Sequence, residues 1–202
     1  MQRLLSVYGF RIGHPFDYPY IMGRRAADSI KNSNSYTFIR INRKVSLMKI
    51  VSIAVSRKKG TRKKCVDSAE LAVEHGLKGD AHSGPWHRQV SFLAAESIDQ
   101  ARDNGLDVEF GSFAENIATV GIDWVAVPVG TQFKLGDTAL VEITQIGKEC
   151  KNKCAIYYQA GDCIMPREGV FARVINGGVI RTGDAIERLD PSLGIKKGED
   201  VQ

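Results

Sequence analysis

Apolar runs long enough to cross a bilayer are missing from this chain; a helical span needs about 20 consecutive apolar residues. Cysteine is scarce as well, with four in 202 residues and three of them bunched between positions 150 and 163. That excludes a disulfide scaffold of the kind that staples small secreted domains. Residues 1–47 carry no apolar stretch followed by a small-residue cleavage site, so they do not read as a secretory signal. No segment repeats at solenoid spacing. These shortages together predict a soluble, cytoplasmic protein in which clustered thiols serve a metal or a reaction rather than cross-links.

An excess of one charge sign is also lacking over most of the chain. The net charge of +5 is unevenly spread: residues 1–47 hold eight Lys and Arg against Asp17 and Asp28, and residues 48–202 hold the other 20 basic and 21 acidic side chains. The body therefore lacks the electrostatic footprint of a nucleic-acid binder. The first 47 residues also have scattered Pro and Gly and an Asn/Ser run at Asn32–Ser35. We expect a poorly ordered basic leader over 1–47, a domain over 48–190 and a polar tail over 191–202. Met48 before the apolar Lys49–Val55 has the look of a start. An upstream extension, a targeting leader and a structural arm are all open readings of what precedes it.

What is present from residue 49 onward is mostly β pattern. Ile50–Val55, Gln89–Leu93, Gln132–Leu135, Ala139–Ile146, Val170–Ile175 and Ala185–Leu189 are short runs rich in β-branched and apolar residues. Gly-Asp pairs at 79–80, 136–137 and 183–184 mark chain reversals. Ala95–Asn104 reads as one helix, stopped by Asn104-Gly105. Ser68–His75 is ambiguous between helix and strand, and Cys150–Gln159 suits a short helix. Many short strands with few helices predict a mainly β fold, a barrel or sandwich core with inserted helices.

Cys150 is the most informative residue. It follows an apolar strand directly and is flanked by Lys148, Lys151 and Lys153, with Cys154 and Cys163 close behind. Cationic neighbours favour the thiolate, which is both a nucleophile and a soft metal ligand. The spacing C-x3-C-x8-C lacks the paired knuckles of structural zinc, so His82 or His87 would have to supply a further ligand through the fold. A buried cysteine acting as a small hydrophobe is the bland alternative.

Four further places could carry chemistry. Gly76–Gln89 gathers Lys78, Asp80, His82, Trp86, His87 and Arg88 between two strands; Arg88 could grip a phosphate and Trp86 could stack on a planar ring, or the loop could be a surface turn anchored by its tryptophan. In Phe110–Ile117, Gly111 offers close backbone approach while Glu115 and Asn116 offer hydrogen bonds to a heterocycle; a turn held by Asn116 fits equally. Arg57–Lys64 holds six cations in eight residues, either a solvated hairpin tip or the mouth of a site for an anion. Arg173 lies within an apolar strand, where a charge needs a carboxylate such as Glu115 or Glu168, a phosphate or a cavity rim.

The order of these motifs resembles the MOSC domain, named after the C-terminal part of molybdenum-cofactor sulfurase. The likeness runs from Gly76-Leu-Lys-Gly-Asp80 through Phe110-Gly111…Glu115-Asn116-Ile117, Gly130…Leu135-Gly136-Asp137 and Gln145…Cys150 to Gly169-Val-Phe-Ala-Arg173-Val…Gly177-Gly178…Gly183-Asp184. It is nearest to small stand-alone bacterial members. The resemblance implies a closed MOSC-type β-barrel with short helices, and molybdenum cofactor (molybdopterin) binding with Cys150 as the metal's thiolate ligand. It places Lys78, Asp80, His82, His87, Gly111, Glu115 and Asn116 near the cofactor and gives Cys150 the catalytic role in sulfur chemistry. Cys154 and Cys163 are further catalytic candidates that a one-cysteine scheme does not require; they could resolve a persulfide, form a regulatory disulfide or complete a three-thiolate metal site. Arg88, Arg173 and the Arg57–Lys64 run are candidates for the cofactor phosphate. Cofactor sulfuration or delivery and a cofactor-dependent reduction are both implied functions, so a reductase and a sulfur transferase stay open. Pyridoxal phosphate would enter only through a partner cysteine desulfurase; a molybdoenzyme is the other partner implied, with no nucleic acid and no membrane. The alternatives are a non-enzymatic persulfide carrier and a structural zinc–thiolate protein.

Overall fold

The computed structural model describes residues 48–150, 153, 157–158 and 161–189. The expected leader over 1–47, the tail over 191–202, Cys154 and most of the helix expected at Cys150–Gln159 lie outside the described residues. The described chain is mainly β, in the order β1 (Lys49–Val55), β2 (Lys64–Val66), β3 (Ser68–Ala72), β4 (Gly76–Leu77), β5 (Val90–Ala94), α1 (Ala95–Asp103), β6 (Ile117–Val120), β7 (Gln132–Leu135), β8 (Ala139–Ile146), α2 (Met165–Glu168), β9 (Val170–Asn176), β10 (Gly178–Arg181) and β11 (Ile186–Leu189). The ambiguous stretch Ser68–His75 is a strand as far as Ala72 and a turn over 73–75. No helix among the described residues is long and apolar enough to cross a membrane.

One eight-stranded sheet has the order β11-β7-β8-β9-β5-β6-β1-β2, and β10-β3-β4 form a second. Within these sheets β5 and β6 pair in parallel, whereas the other pairs are antiparallel. A parallel pair cannot be joined by a tight turn, and α1 supplies the crossover. Its buried residues Ala95, Ile98 and Ala101 recur at helical spacing, and Asn104 followed by Gly105 at φ +91 ends it as the sequence predicts. Neighbouring residues of one strand point to opposite faces, so Phe92 and Leu93, or Ala172 and Phe171, enter two different apolar clusters. One cluster centres on Trp124, whose ring lies 5.0 Å from Phe92 and 5.1 Å from Phe133. The other packs α1 and α2 against the opposite face.

The expectation of a closed barrel is corrected by this topology: the sheet is open, with β11 and β2 at its edges. The reason is that one side of β1 is shared. Among the described residues, 53–55 pair with β2, while 48–50 reach the first residue of β11 and the segment before it, through the isolated Lys49–Ala185 bridge and hydrogen bonds from Ile50 N to Asp184 O (2.9 Å) and Ile186 N to Met48 O (2.8 Å).

Candidate functional site

The basic run Arg57–Lys64 does not behave as a uniformly solvated tip. Arg57, Lys58 and Lys59 are exposed, but Lys63 turns inward and forms an ion pair with Asp80; the two side chains are 0% and 1% exposed. Asp80 also accepts hydrogen bonds from the Ser56 amide (2.9 Å) and the His82 amide (3.0 Å), which ties the end of β1 to the turn after β4. Burial opposes the charged form of Asp80, but hydrogen bonds from His82 and Lys63, the Lys63 charge and the Ser56 amide together hold its carboxyl well below the usual range. Burial lowers the Lys63 ammonium from its ordinary value, with Asp80 pulling the other way.

Glu115 and Asn116 lead into β6. Glu115 is 1% exposed and its carboxylate accepts hydrogen bonds from the amides of Gly111 and Phe113, the latter at 3.1 Å. Burial nonetheless raises its pKa to about 7, against the backbone donors and the Lys63 charge. Gly111 has φ +84, and a Cβ there would collide with the Lys63 carbonyl, so the loop approaches as closely as it does because this residue has no side chain. Asn116, the residue before β6, bonds to two strands, β5 and β1: its Oδ1 accepts from Ser91 N (3.1 Å) and Ser91 Oγ (2.9 Å), and its Nδ2 donates to Ala54 O (3.2 Å). Ala114 between them holds a left-handed backbone at φ +62.

Arg88 lies between two rings, its guanidinium carbon 4.7 Å from the Trp86 centroid and 5.6 Å from that of Phe171. No carboxylate pairs with it among the described residues, and its Nε is buried without a hydrogen-bond partner there. Cys150 arrives from β8. Gly147 N donates to Gly169 O (2.7 Å) and Lys148 N to Pro166 O (3.3 Å), so the α2 segment sets the path of the chain into the cysteine. Gly147, at φ +65, has the Pro166 carbonyl where a Cβ would stand.

These segments meet at one cavity of about 250 Å³, lined by His82, Trp86, Arg88, Asn116, Lys148 and Cys150, with Phe113, Met165 and Phe171 among its apolar walls. Cys150 is exposed there. A larger cavity of about 350 Å³ lies elsewhere, lined by Glu96, Asp123, Glu168 and Trp124; it offers neither sulfur nor a cation, so its size does not make it the site.

The other residues singled out by sequence stand apart from the cysteine cavity's lining. Lys78 is exposed and pairs with Glu70 at 2.6 Å. His87 Nε2 lies 2.9 Å from Gln145 Oε1. Arg173 is half exposed and bonds Glu142, its cross-strand neighbour, at 2.9 Å and 3.1 Å, rather than Glu115 or Glu168. Cys163 is buried in the apolar cluster of α1 and α2. Asp80, Gly111 and Glu115 are not in the lining, but they accept hydrogen bonds from the amides of the lining residues His82, Ala114 and Phe113 respectively. Among the described residues no three His, Cys, Asp or Glu side chains converge as a metal-ligand set. Lys63 was hidden from sequence reasoning inside its charge run; its one signal is the Lys63-Lys64-Cys65-Val66 step into a strand.

A family model for the MOSC domain matches residues 79–187, more than half of the chain. No curated protein matches. Solved structures do: the YuaD protein of Bacillus subtilis is similar at 16% identity and a TM-score of 0.57, over 69% of this chain and 93% of that one. YiiM from Geobacillus stearothermophilus gives 21% identity and 0.57, over 73% and 77%. YiiM from Escherichia coli gives 22% and 0.52, over 70% of each chain. At such identities the likeness is one of fold. The family model, running from the Gly79–Asp80 turn into β11 and enclosing Arg88, Asn116 and Cys150, identifies this chain as a member of the MOSC domain family.

Proposed function

We propose that this chain binds the molybdenum cofactor, or a sulfurated precursor of it, in the cavity that bears Cys150, and acts in cofactor sulfuration or delivery or in a cofactor-dependent reduction. The single observation that carries this reading is the convergence on one cavity, beside the Trp86 ring, of an exposed thiol, Lys148, and an Arg88 guanidinium that has no carboxylate partner among the described residues. These residues fit the group. A thiolate is a soft donor suited to molybdenum. The buried Nε of Arg88, unpartnered among the described residues, calls for an acceptor such as a phosphate oxygen. When bound, the cofactor would supply two-electron redox or sulfur-transfer chemistry at its metal. Cys150 would hold the metal, Arg88 and Lys148 would hold the anionic end, and the Trp86 and Phe171 faces would exclude water. Lys78, His87, Arg173 and Cys163 are not assigned to the cofactor on this reading. Elemental analysis of protein from a molybdenum-replete host, beside its Cys150→Ser variant, tests it. Near-stoichiometric molybdenum lost in the variant is the expected result; equal retention in both would overturn the ligand assignment.

The exposure of Cys150 supports a second reading, a persulfide carrier loaded by a pyridoxal-phosphate-dependent cysteine desulfurase. In that reaction the donor's terminal sulfur bonds to Cys150 Sγ and the donor cysteine leaves as its thiol. A gain of one sulfur atom in mass after incubation with a desulfurase and cysteine, absent in Cys150→Ser, is the expected signature.

A further inference from the structure

Lys63 and Asp80 form a buried ion pair, and replacing such a pair by apolar side chains is often neutral or stabilising. Stability alone is therefore a weak account of the pair. The two backbone amides that Asp80 receives account for its carboxylate as a tie between β1 and the following turn, but they do not account for the ammonium.

His82 supplies the missing relationship. Its Nδ1 lies 3.5 Å from Asp80 Oδ2 and 3.5 Å from Lys63 Nζ. A carboxylate can only accept a hydrogen bond and an ammonium can only donate one. Nδ1 therefore has an acceptor within reach when it carries the proton and a donor within reach when it does not. Which of its nitrogens bears hydrogen in a neutral imidazole follows from the partner of the other. With Nδ1 facing the buried pair, Nε2 is the nitrogen left for the cavity that His82 lines together with Cys150, Arg88 and Asn116.

We propose that His82 is the proton-transfer residue of this cavity, and that Lys63 and Asp80 are the positioning residues that keep Nε2 competent both to take and to give a proton without rotation of the ring. In the accepting direction, an N–H or O–H bond of the bound ligand breaks and its proton joins Nε2; the resulting imidazolium keeps Nδ1–H directed at Asp80. In the donating direction, the Nε2–H bond breaks and the proton passes to an oxygen or nitrogen atom of the bound ligand. Only a proton moves, and no oxidant or reductant is needed. The meaning of this for a ligand rests on reading the cavity as the cofactor site.

The test uses the full chain and no cofactor, so its outcome is separate from that of the molybdenum analysis. In 15N-histidine-labelled protein, assigned with His82→Asn, the His82 nitrogens should report a population with Nδ1 protonated. A ring locked with hydrogen on Nε2 alone would overturn the proposal. The chemical probe is diethyl pyrocarbonate, which needs the Nε2 lone pair, with His75 as the internal reference. At alkaline pH, where the ring is neutral in every variant, Lys63→Met removes the competing donor and should raise the His82 rate several-fold relative to wild type. The apolar pair Lys63→Met/Asp80→Leu removes the acceptor too and should bring the rate back down. Because the single variant strands a buried carboxylate, circular dichroism establishes its fold first; the double variant and the wild-type spectrum decide the matter if it fails. The same normalised rate in all three proteins would overturn the positioning role.

Discussion

Cys150 and Arg88 line the same cavity, although one follows β8 and the other leads into β5. The thiol side is fixed by backbone hydrogen bonds to the α2 segment, and the guanidinium side by two aromatic faces. A ligand that spans them feels a soft donor at one end and a fixed cation at the other.

Arg88→Met should therefore lower retention of the cofactor about tenfold, equivalent to about 1.4 kcal/mol. Arg88→Lys keeps the charge but not the planar stacking, and should fall between. Molybdenum content after dialysis against graded sodium chloride checks both, with the wild type the most salt-sensitive of the three.

Two cysteines that look alike in sequence should separate by experiment. Cys150 is exposed, so Cys150→Ser should leave the thermal midpoint unchanged while abolishing metal or persulfide loading. Cys163 is buried in an apolar cluster, so Cys163→Ser should cost roughly 1–3 kcal/mol by placing a hydroxyl there. A midpoint lowered by the first change, or untouched by the second, would reverse the assignments.

Glu115 gives a pH dependence with a definite sign. Its pKa rises from 4.5 to about 7 on folding, chiefly through burial, so the folded state binds more protons between those values. Its contribution to stability is complete below pH 4.5 and is lost as pH rises toward and through 7. Thermal midpoints across that interval should fall with rising pH more steeply in the wild type than in Glu115→Gln.

Gly111→Ala should destabilise by more than about 1 kcal/mol, because alanine resists the positive φ and its Cβ meets the Lys63 carbonyl. Denaturant unfolding measures the loss. Gly130→Ala, also at positive φ but with nothing near its Cβ position, should cost less, the difference being the price of the collision.

How much of this was legible in the sequence depended on whether local pattern decided the outcome. Gln132–Leu135 and Ala139–Ile146 are strands as read, because alternating burial along a hairpin is written in the residues themselves. β6, with only Ile117–Val120, was missed; it exists because β1 and β5 both pair with it. The motif order pointed to Cys150, Arg88, His82 and Asn116, and the structure brings them to one cavity. Arg173 was read as needing a partner within an apolar strand. Its partner Glu142 is set by the register of β8 against β9, which no single-strand pattern contains. Lys63 was invisible for the same kind of reason, since only Asp80 on a distant turn distinguishes it from five other cations.

The seam between residues 48–50 and 183–186 has a consequence for the order of folding. These two segments lie at opposite ends of the described chain, so no local contact can draw them together early. During synthesis, that side of β1 must wait for nearly all of the domain to emerge before it finds its neighbour. Contacts of this kind form late and open first, and the amides of Ile50 and Ile186 should exchange with solvent sooner than those buried in the β8–β9 ladder.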